Sequence, residues 1–240
     1  MPKKTNSHFR MPAEWEKQQS TLIGWPYNKD DWPDKFKNIP GVFAKIISKI
    51  TMSQKVNLLI KDTKSKNLIK KLLMKNNTKM HNVKFIICKT DRVWMRDTGP
   101  IFVKNKKNKN ILLNWKFNGW AKYKDYRADD KVNLRIKNHY KGNIITPRFK
   151  KKLIVLEGGS IDVNGKGLLI TTKECLLSKI QQRNSFLKVK DYNQIFQKFF
   201  GIKKVIWLNK GIEGDDTHGH VDDIARFVTS NKVFLAYENN

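Results

Sequence analysis

Ahead of each of three β-hairpin signals in this chain stands a short acidic motif, and that repeat limits the fold more than any other feature. The hairpin patterns run from Ile101 to Trp115, from Ile161 to Thr171 and from Ile224 to Ala236, the middle one with Asn164-Gly165 at its turn. Their turns lie about sixty residues apart, enough for a propeller-like blade that also contains a helix. The motifs are RDTGP, EGGS and HVDD, beginning at Arg96, Glu157 and His220. If the hairpins are equivalent blades around an axis, the motifs converge at one end of it. The chemistry is then assembled from separate blades.

Between the hairpins, helical and strand periods alternate, the mark of an α/β chain. Val42, Phe43, Ile46, Ile47 and Ile50 have helical spacing after Pro40-Gly41, and Val56 to Ile60 reads as a buried strand. Asp62 suits the N-cap of a helix carrying Leu68, Ile69, Leu72 and Leu73 on one face. Val83 to Cys88 is the next strand. Asp191 is expected to cap a helix with Ile195, Phe196, Phe199 and Phe200, closed by Gly201, before the strand Val205 to Leu208. With no low-complexity linker, residues 1–240 read as a single domain.

Composition excludes several classes. Of 240 residues 39% are hydrophobic, so this is not a disordered tail, and no apolar run approaches the ~20 residues of a membrane-spanning helix. Met1 to Arg10 is basic with no apolar stretch after it, so no secretory signal is expected. Cys88 and Cys175 are too few for a disulfide framework, which points to a reducing cytoplasm. There are 49 Lys+Arg against 21 Asp+Glu, a formal net charge of +28. The lysines are spread over almost every segment, which reads as a solvated, compositionally biased surface; nucleic acid is the less favoured partner. The acids say more: Asp91, Asp97, Glu157, Glu213, Asp215, Asp216, Asp222 and Asp223 gather in three short stretches. In so basic a chain, that clustering suggests a site for a cation.

In the first stretch Trp94 and Asp97 lie three apart in a loop ended by Gly99-Pro100. A carboxylate beside an aromatic plane suits a guanidinium, bound at its edge and stacked on its face. The plain alternative is an Asp97–Arg96 pair steadying a turn. In the second, Glu157 ends the apolar strand Leu153 to Leu156, and Gly158-Gly159 allow a ligand close to the backbone; the alternative is a tight turn with a solvated Glu. In the third, His220 and Asp222 lie two apart, so an extended segment points both to one side and sets an acid/base beside a carboxylate. His218, His220 and the neighbouring Asp could instead ligate Zn²⁺ or Mn²⁺.

Taken in order, Met11 to Glu16 (MPAEWE), Gly24-Trp25-Pro26, Trp94 to Pro100, Phe117 to Tyr123 (FNGWAKY), Glu157-Gly158-Gly159 and Asp216 to Asp222 resemble the agmatine deiminase / bacterial-type peptidylarginine deiminase family. The resemblance runs from about Met11 to the last residue. It implies the pentein α/β propeller, with ββαβ-type blades and a site on the axis. It also implies a mechanism: a Cys thiolate attacks the guanidinium carbon, ammonia leaves, and water hydrolyses the amidino-thioether to a ureido product. Agmatine would give N-carbamoylputrescine. By motif match Asp97 and Asp222 grip the guanidinium nitrogens, and His220 protonates the leaving ammonia and then activates water. Glu157 and Asp216 join the acidic pocket, and Trp94 forms a wall. Trp120 and Trp25 are further wall candidates, with core packing as the alternative. No cofactor or metal is implied, and no membrane partner; a homo-oligomer stays open for a complete chain.

One departure matters. The family's nucleophilic Cys lies late in the chain, in a Gly-rich segment after His-x-Asp, whereas no Cys follows Asp222 here. Cys88 and Cys175 sit among apolar neighbours and read as buried structural thiols. The chain is therefore expected to be an N-terminal portion of a deiminase, an incomplete propeller with open strand edges, poorly soluble and inactive by itself. Arginine or peptidyl-arginine is the alternative substrate. A guanidinium-binding pseudoenzyme and a basic polyanion-binding protein are the non-enzyme alternatives.

Overall fold

The computed structural model describes residues 8–140 and 142–238, so Met1 to Ser7, and with them most of the secretory-signal reading, lie outside the described residues. Contacts divide the chain into two compact units. The first takes in Met1–Glu16, Pro100–Tyr123 and Tyr140–Asn240, and the second Lys17–Gly99 and Lys124–His139.

The second unit is built on a parallel sheet of Ser20–Gly24, Lys55–Ile60 and Val83–Ile87, with Lys55–Ile60 in the middle. Parallel neighbours require crossovers, which the helices Ile39–Ile50 and Thr63–Lys75 supply. Along the middle strand Val56, Leu58 and Ile60 share one face and are fully buried, and Leu59 on the other face is 1% exposed. The first three pack with Ala44, Ile47, Ile69, Leu73 and Trp25. Trp25 is thus a core residue, as its packing alternative held. Asp62 caps the second helix through Oδ1, which accepts the Ser65 N–H at 2.8 Å.

The first unit carries the expected hairpins. Ile101–Asn105 pairs antiparallel with Asn110–Leu113, Asp162–Val163 with Leu168–Thr172, and Ala225–Phe227 with Val233–Leu235. A parallel strand joins the first two hairpins, Asn143–Ile145 on Leu113's strand and Lys204–Leu208 on Thr172's. Residues 162–208 are therefore one full ββαβ unit, with the helix Val189–Phe200 as its crossover. That helix is amphipathic: Tyr192, Ile195, Phe196, Phe199 and Phe200 are buried against Leu113, Trp115, Ile154, Leu156 and Leu169.

Two local expectations are corrected. Asp191 is not the N-cap but the third residue of its helix, where it accepts the Lys188 N–H at 2.9 Å, the reciprocal half of a capping box. Leu153 to Leu156 is not one continuous strand: Leu153 pairs antiparallel with Arg148 in a short hairpin, and Val155 makes a single parallel bridge to Lys116 before the turn at Gly158–Ser160. Gly201 ends the helix as expected, in the left-handed conformation at φ 72°.

Candidate active site

Glu157 precedes a single tight turn, Gly158–Ser160. The turn is fastened from both sides, since Ser160 Oγ donates to the Glu157 carbonyl at 2.7 Å and Thr171 Oγ donates to the Ser160 carbonyl at 2.8 Å. Gly158 and Gly159 are buried within this turn. The solvated-Glu alternative is overturned: Glu157 is 0% exposed.

Its partner was not foreseen. The Arg183 side chain is also 0% exposed, and its Nε donates to Glu157 Oε1 at 3.1 Å. The remaining donors go to the carbonyls of Gln181, at 2.9 Å, and Thr217. Burying two charges costs several kcal/mol each unless bonding of this kind offsets it. Burial alone would raise the Glu157 carboxyl, but the charge of Arg183 and then the contact with His220 hold it below the usual range. A signal for Arg183 did exist, because only eight of the 49 basic residues are arginine. Where composition drifts towards Lys, a retained Arg marks a place that needs the planar fork.

His220 is delivered by a loop that Asp215 organises. Asp215 Oδ1 accepts the Thr217 N–H at 2.8 Å, and Oδ2 accepts those of Gly219 and His220 at 2.8 and 2.9 Å. Burial would lift this carboxyl, but the bonds from Thr217, His220 and Gly219 hold it down. Gly219, at φ 87°, passes so close to Glu174 that a Cβ would strike its side chain. The imidazole ends 3% exposed, with Nε2 3.8 Å from Glu157 Oε2 and Nδ1 3.9 Å from Asp222 Oδ1. His220 and Asp222 do come together, but through the turn Val221–Asp223 rather than an extended strand.

Cys175 lies on the inner side of the same group. Its ligand atom and those of Glu157 and His220 all lie within 4.8 Å of one another. The helix Lys173–Leu177 that carries it starts at Thr172, whose Oγ accepts the Cys175 N–H at 3.0 Å and donates to the Gly219 carbonyl at 2.5 Å. Burial pushes the Cys175 thiol up despite His220 beside it. Three such groups have metal-ligand spacing, but Arg183 already supplies the positive charge against Glu157. His218 is outside the group, with Nε2 3.1 Å from Ser178 Oγ. Cys88 follows its strand in the second unit, 4% exposed, its thiol likewise raised by burial.

Asp216 points to a more open place. Lys122 Nζ and Tyr123 Oη both bond its carboxylate, and Gln181 Nε2 donates to the carbonyls of Trp120 at 3.1 Å and Asp216 at 3.3 Å. Trp120 is 4% exposed and stands edge-on to Phe117 at 4.9 Å. Trp120, Ala121, Gln181 and His218 all have positive φ, at 56°, 56°, 46° and 65°. Non-glycine residues held in this region cost energy, and such strain gathers at functional sites.

Trp94 and Asp97 belong to the second unit. Trp94 opens the one-turn helix Met95–Thr98, is 43% exposed and lies 5.7 Å from the Trp32 ring. Asp91, grouped with Asp97 by sequence, works in the loop beneath: its Oδ2 accepts the Ala128 N–H at 2.7 Å, while Asp129 accepts the N–H groups of Asp91 and Arg92 in return.

A Mycoplasma capricolum relative is 34% identical over 100% of this chain and 65% of its own length. An agmatine deiminase of Ectopseudomonas mendocina is 32% identical over 97% of this chain and 61% of its own length. Among solved structures, an agmatine deiminase of Enterococcus faecalis superposes with a TM-score of 0.85 at 29% identity, covering 97% of this chain and 62% of that one. A C. jejuni agmatine deiminase with substrate bound gives 0.79 at 29%, covering 94% and 63%. The chain thus spans under two thirds of the length of these relatives, and its fold class is the pentein-type α/β fold that the family resemblance implied. The family model for Porphyromonas-type peptidyl-arginine deiminase matches residues 10–240, and the chain belongs to that family.

Proposed function

We propose that Glu157, His220 and Asp222 are the guanidinium-processing part of an agmatine deiminase-type hydrolase. The observation that carries the reading is a buried imidazole with a carboxylate near each ring nitrogen, at 3.8 and 3.9 Å, in a chain of this family. The leaving nitrogen of a guanidinium held by Asp222 lies beside the imidazole. When a thiolate forms a bond to the guanidinium carbon, His220 as the imidazolium gives that nitrogen a proton, the C–N bond breaks and ammonia departs. The imidazole then takes a proton from the water that hydrolyses the covalent amidino intermediate. Agmatine and water become N-carbamoylputrescine and ammonia. Carboxylates that fix the planar cation supply orientation, and they keep its carbon electrophilic. Neither Cys88 nor Cys175 suits the attacking thiolate, since burial raises both thiols. These 240 residues therefore bind the guanidinium without turning it over.

Calorimetry with agmatine tests this. Loss of a charge-assisted bond is worth about 1.5–3 kcal/mol, so Asp222→Ala weakens binding roughly ten- to a hundredfold. Equal binding by the parent and the variant would sink the pocket, and a stoichiometric ureido product would overturn the absence of turnover.

One observation favours arginine or peptidyl-arginine instead. Lys122 places an ammonium at Asp216, where a cation could receive a substrate carboxylate. Tighter binding of arginine than of agmatine, lost in Lys122→Ala, would decide for that reading.

A further inference from the structure

Resting on the reading of His220 as the proton carrier, we infer that Arg183 is the positioning residue that holds the Glu157 carboxylate against Nε2 of His220, so that Nδ1, on the Asp222 side, is the nitrogen that exchanges protons with the substrate. Three observations carry this.

The two ring nitrogens have different surroundings. Nε2 faces Glu157, which is 0% exposed, whereas Nδ1 faces Asp222, whose side chain is 17% exposed. A proton that must reach a ligand leaves from the side that opens outward. Behind the ring lie groups closed to water: Glu157, its partner Arg183, and Cys175, whose ligand atom is within 4.8 Å of those of Glu157 and His220.

A buried carboxylate is a fixed acceptor only while a cation stabilises it; otherwise it takes up a proton and becomes a donor. Arg183 is that cation, and its fork leaves Glu157 Oε2 turned to the imidazole while Nε takes Oε1. At 3.8 Å the buried Glu157 carboxylate acts on the ring through its charge, less screened than that of the part-exposed Asp222 at 3.9 Å, and so favours the hydrogen on Nε2.

Arg183 is also tied to the loop that brings His220 in. It donates to the Thr217 carbonyl of that loop and to the Gln181 carbonyl of its own segment, and Asp215 fixes the Thr217 and His220 N–H groups. The ring is thus held in place by the residue that sets the charge behind it. Cys175 adds contact from the same inner side, with a weakly polar thiol that does not compete with Glu157 as an acceptor.

The test reads the tautomer directly, on the full chain and without substrate. Long-range ¹H–¹⁵N spectra of the ¹⁵N-histidine-labelled protein distinguish protonated from unprotonated ring nitrogens, and His220→Gln assigns the signals. In the parent, the neutral ring carries its hydrogen on Nε2 and only Nδ1 changes on titration. In Arg183→Met, Glu157 takes a proton and donates it, so Nδ1–H becomes the major neutral tautomer. Arg183→Lys restores the charge and with it the Nε2–H form. A parent already in the Nδ1–H form overturns the inference whatever the variants do. So does an Arg183→Met protein that keeps Nε2–H, or an Arg183→Lys protein indistinguishable from Arg183→Met. If Arg183→Met does not fold, the parent spectrum and Arg183→Lys decide the matter. Agmatine binding enters nowhere in this experiment, so failure of the deiminase reading and failure of the positioning role are told apart.

Discussion

Removing the charge of Asp129 tests how the loop beneath Trp94 is held. Asp129 is 1% exposed, with Oδ1 accepting the Asp91 N–H at 2.7 Å and Oδ2 the Arg92 N–H at 3.1 Å. The nearest guanidinium is committed elsewhere: Arg92 binds Asp31 at 2.6 Å and Asp125 at 3.1 Å. Burial pushes the Asp129 carboxyl from 3.8 up to about 7, with the charges of Asp91 and Asp31 adding to it against the backbone donors. About three pH units at 1.36 kcal/mol each mean that ionised Asp129 costs the fold about 4 kcal/mol. The folded state binds this proton more tightly than the unfolded one. Stability is therefore unaffected below about pH 4 and falls as the pH rises towards about 7, with about 2.5 kcal/mol lost between pH 5 and pH 8. Asp129→Asn keeps one acceptor and removes the titration. In urea unfolding followed by tryptophan fluorescence, the variant gains about 2.5 kcal/mol on its parent between those two pH values. Glu157 works in the opposite direction, since its lowered carboxyl contributes stability that is lost as the pH falls. It is present in both proteins and cancels. Parallel pH curves for parent and variant would refute the reasoning.

Two further outcomes follow from packing. Phe196, fully buried and stacked on Phe200 at 5.9 Å, loses about 3–5 kcal/mol on substitution by Ala, measured as a lowered denaturation midpoint with an unchanged slope. Gly201→Ala meets a left-handed backbone and a collision with the Phe9 carbonyl, so it destabilises the fold by more than the ~1–2 kcal/mol that the backbone alone accounts for, read as a lowered thermal midpoint; an unchanged midpoint would show that the segment at Phe9 packs elsewhere.

Much of the architecture was legible because it depends on short-range chemistry. The period of Val42 to Ile50, the cap at Asp62, the glycine at 201 and the turn at Asn164-Gly165 are set by neighbours within a few residues. The hairpins then followed from alternation, and the motifs from their place ahead of each hairpin. Asp191 was misplaced by three positions, since a carboxylate at the cap and one at the third helical residue leave the same trace in a sequence.

What the chain by itself determined is the set of elements, their order, and the residue types that gather at Glu157, His220 and Asp222. Only the tertiary structure decided the electrostatics of the inner site. Glu157 and Arg183 are 26 residues apart, Cys175 stands 45 residues before His220, and no local pattern links them. Their effect comes from being buried together, because a carboxylate changes character when water is replaced by one guanidinium and an imidazole. Periodicity records which residues leave water; it carries no record of which charges meet once they have done so.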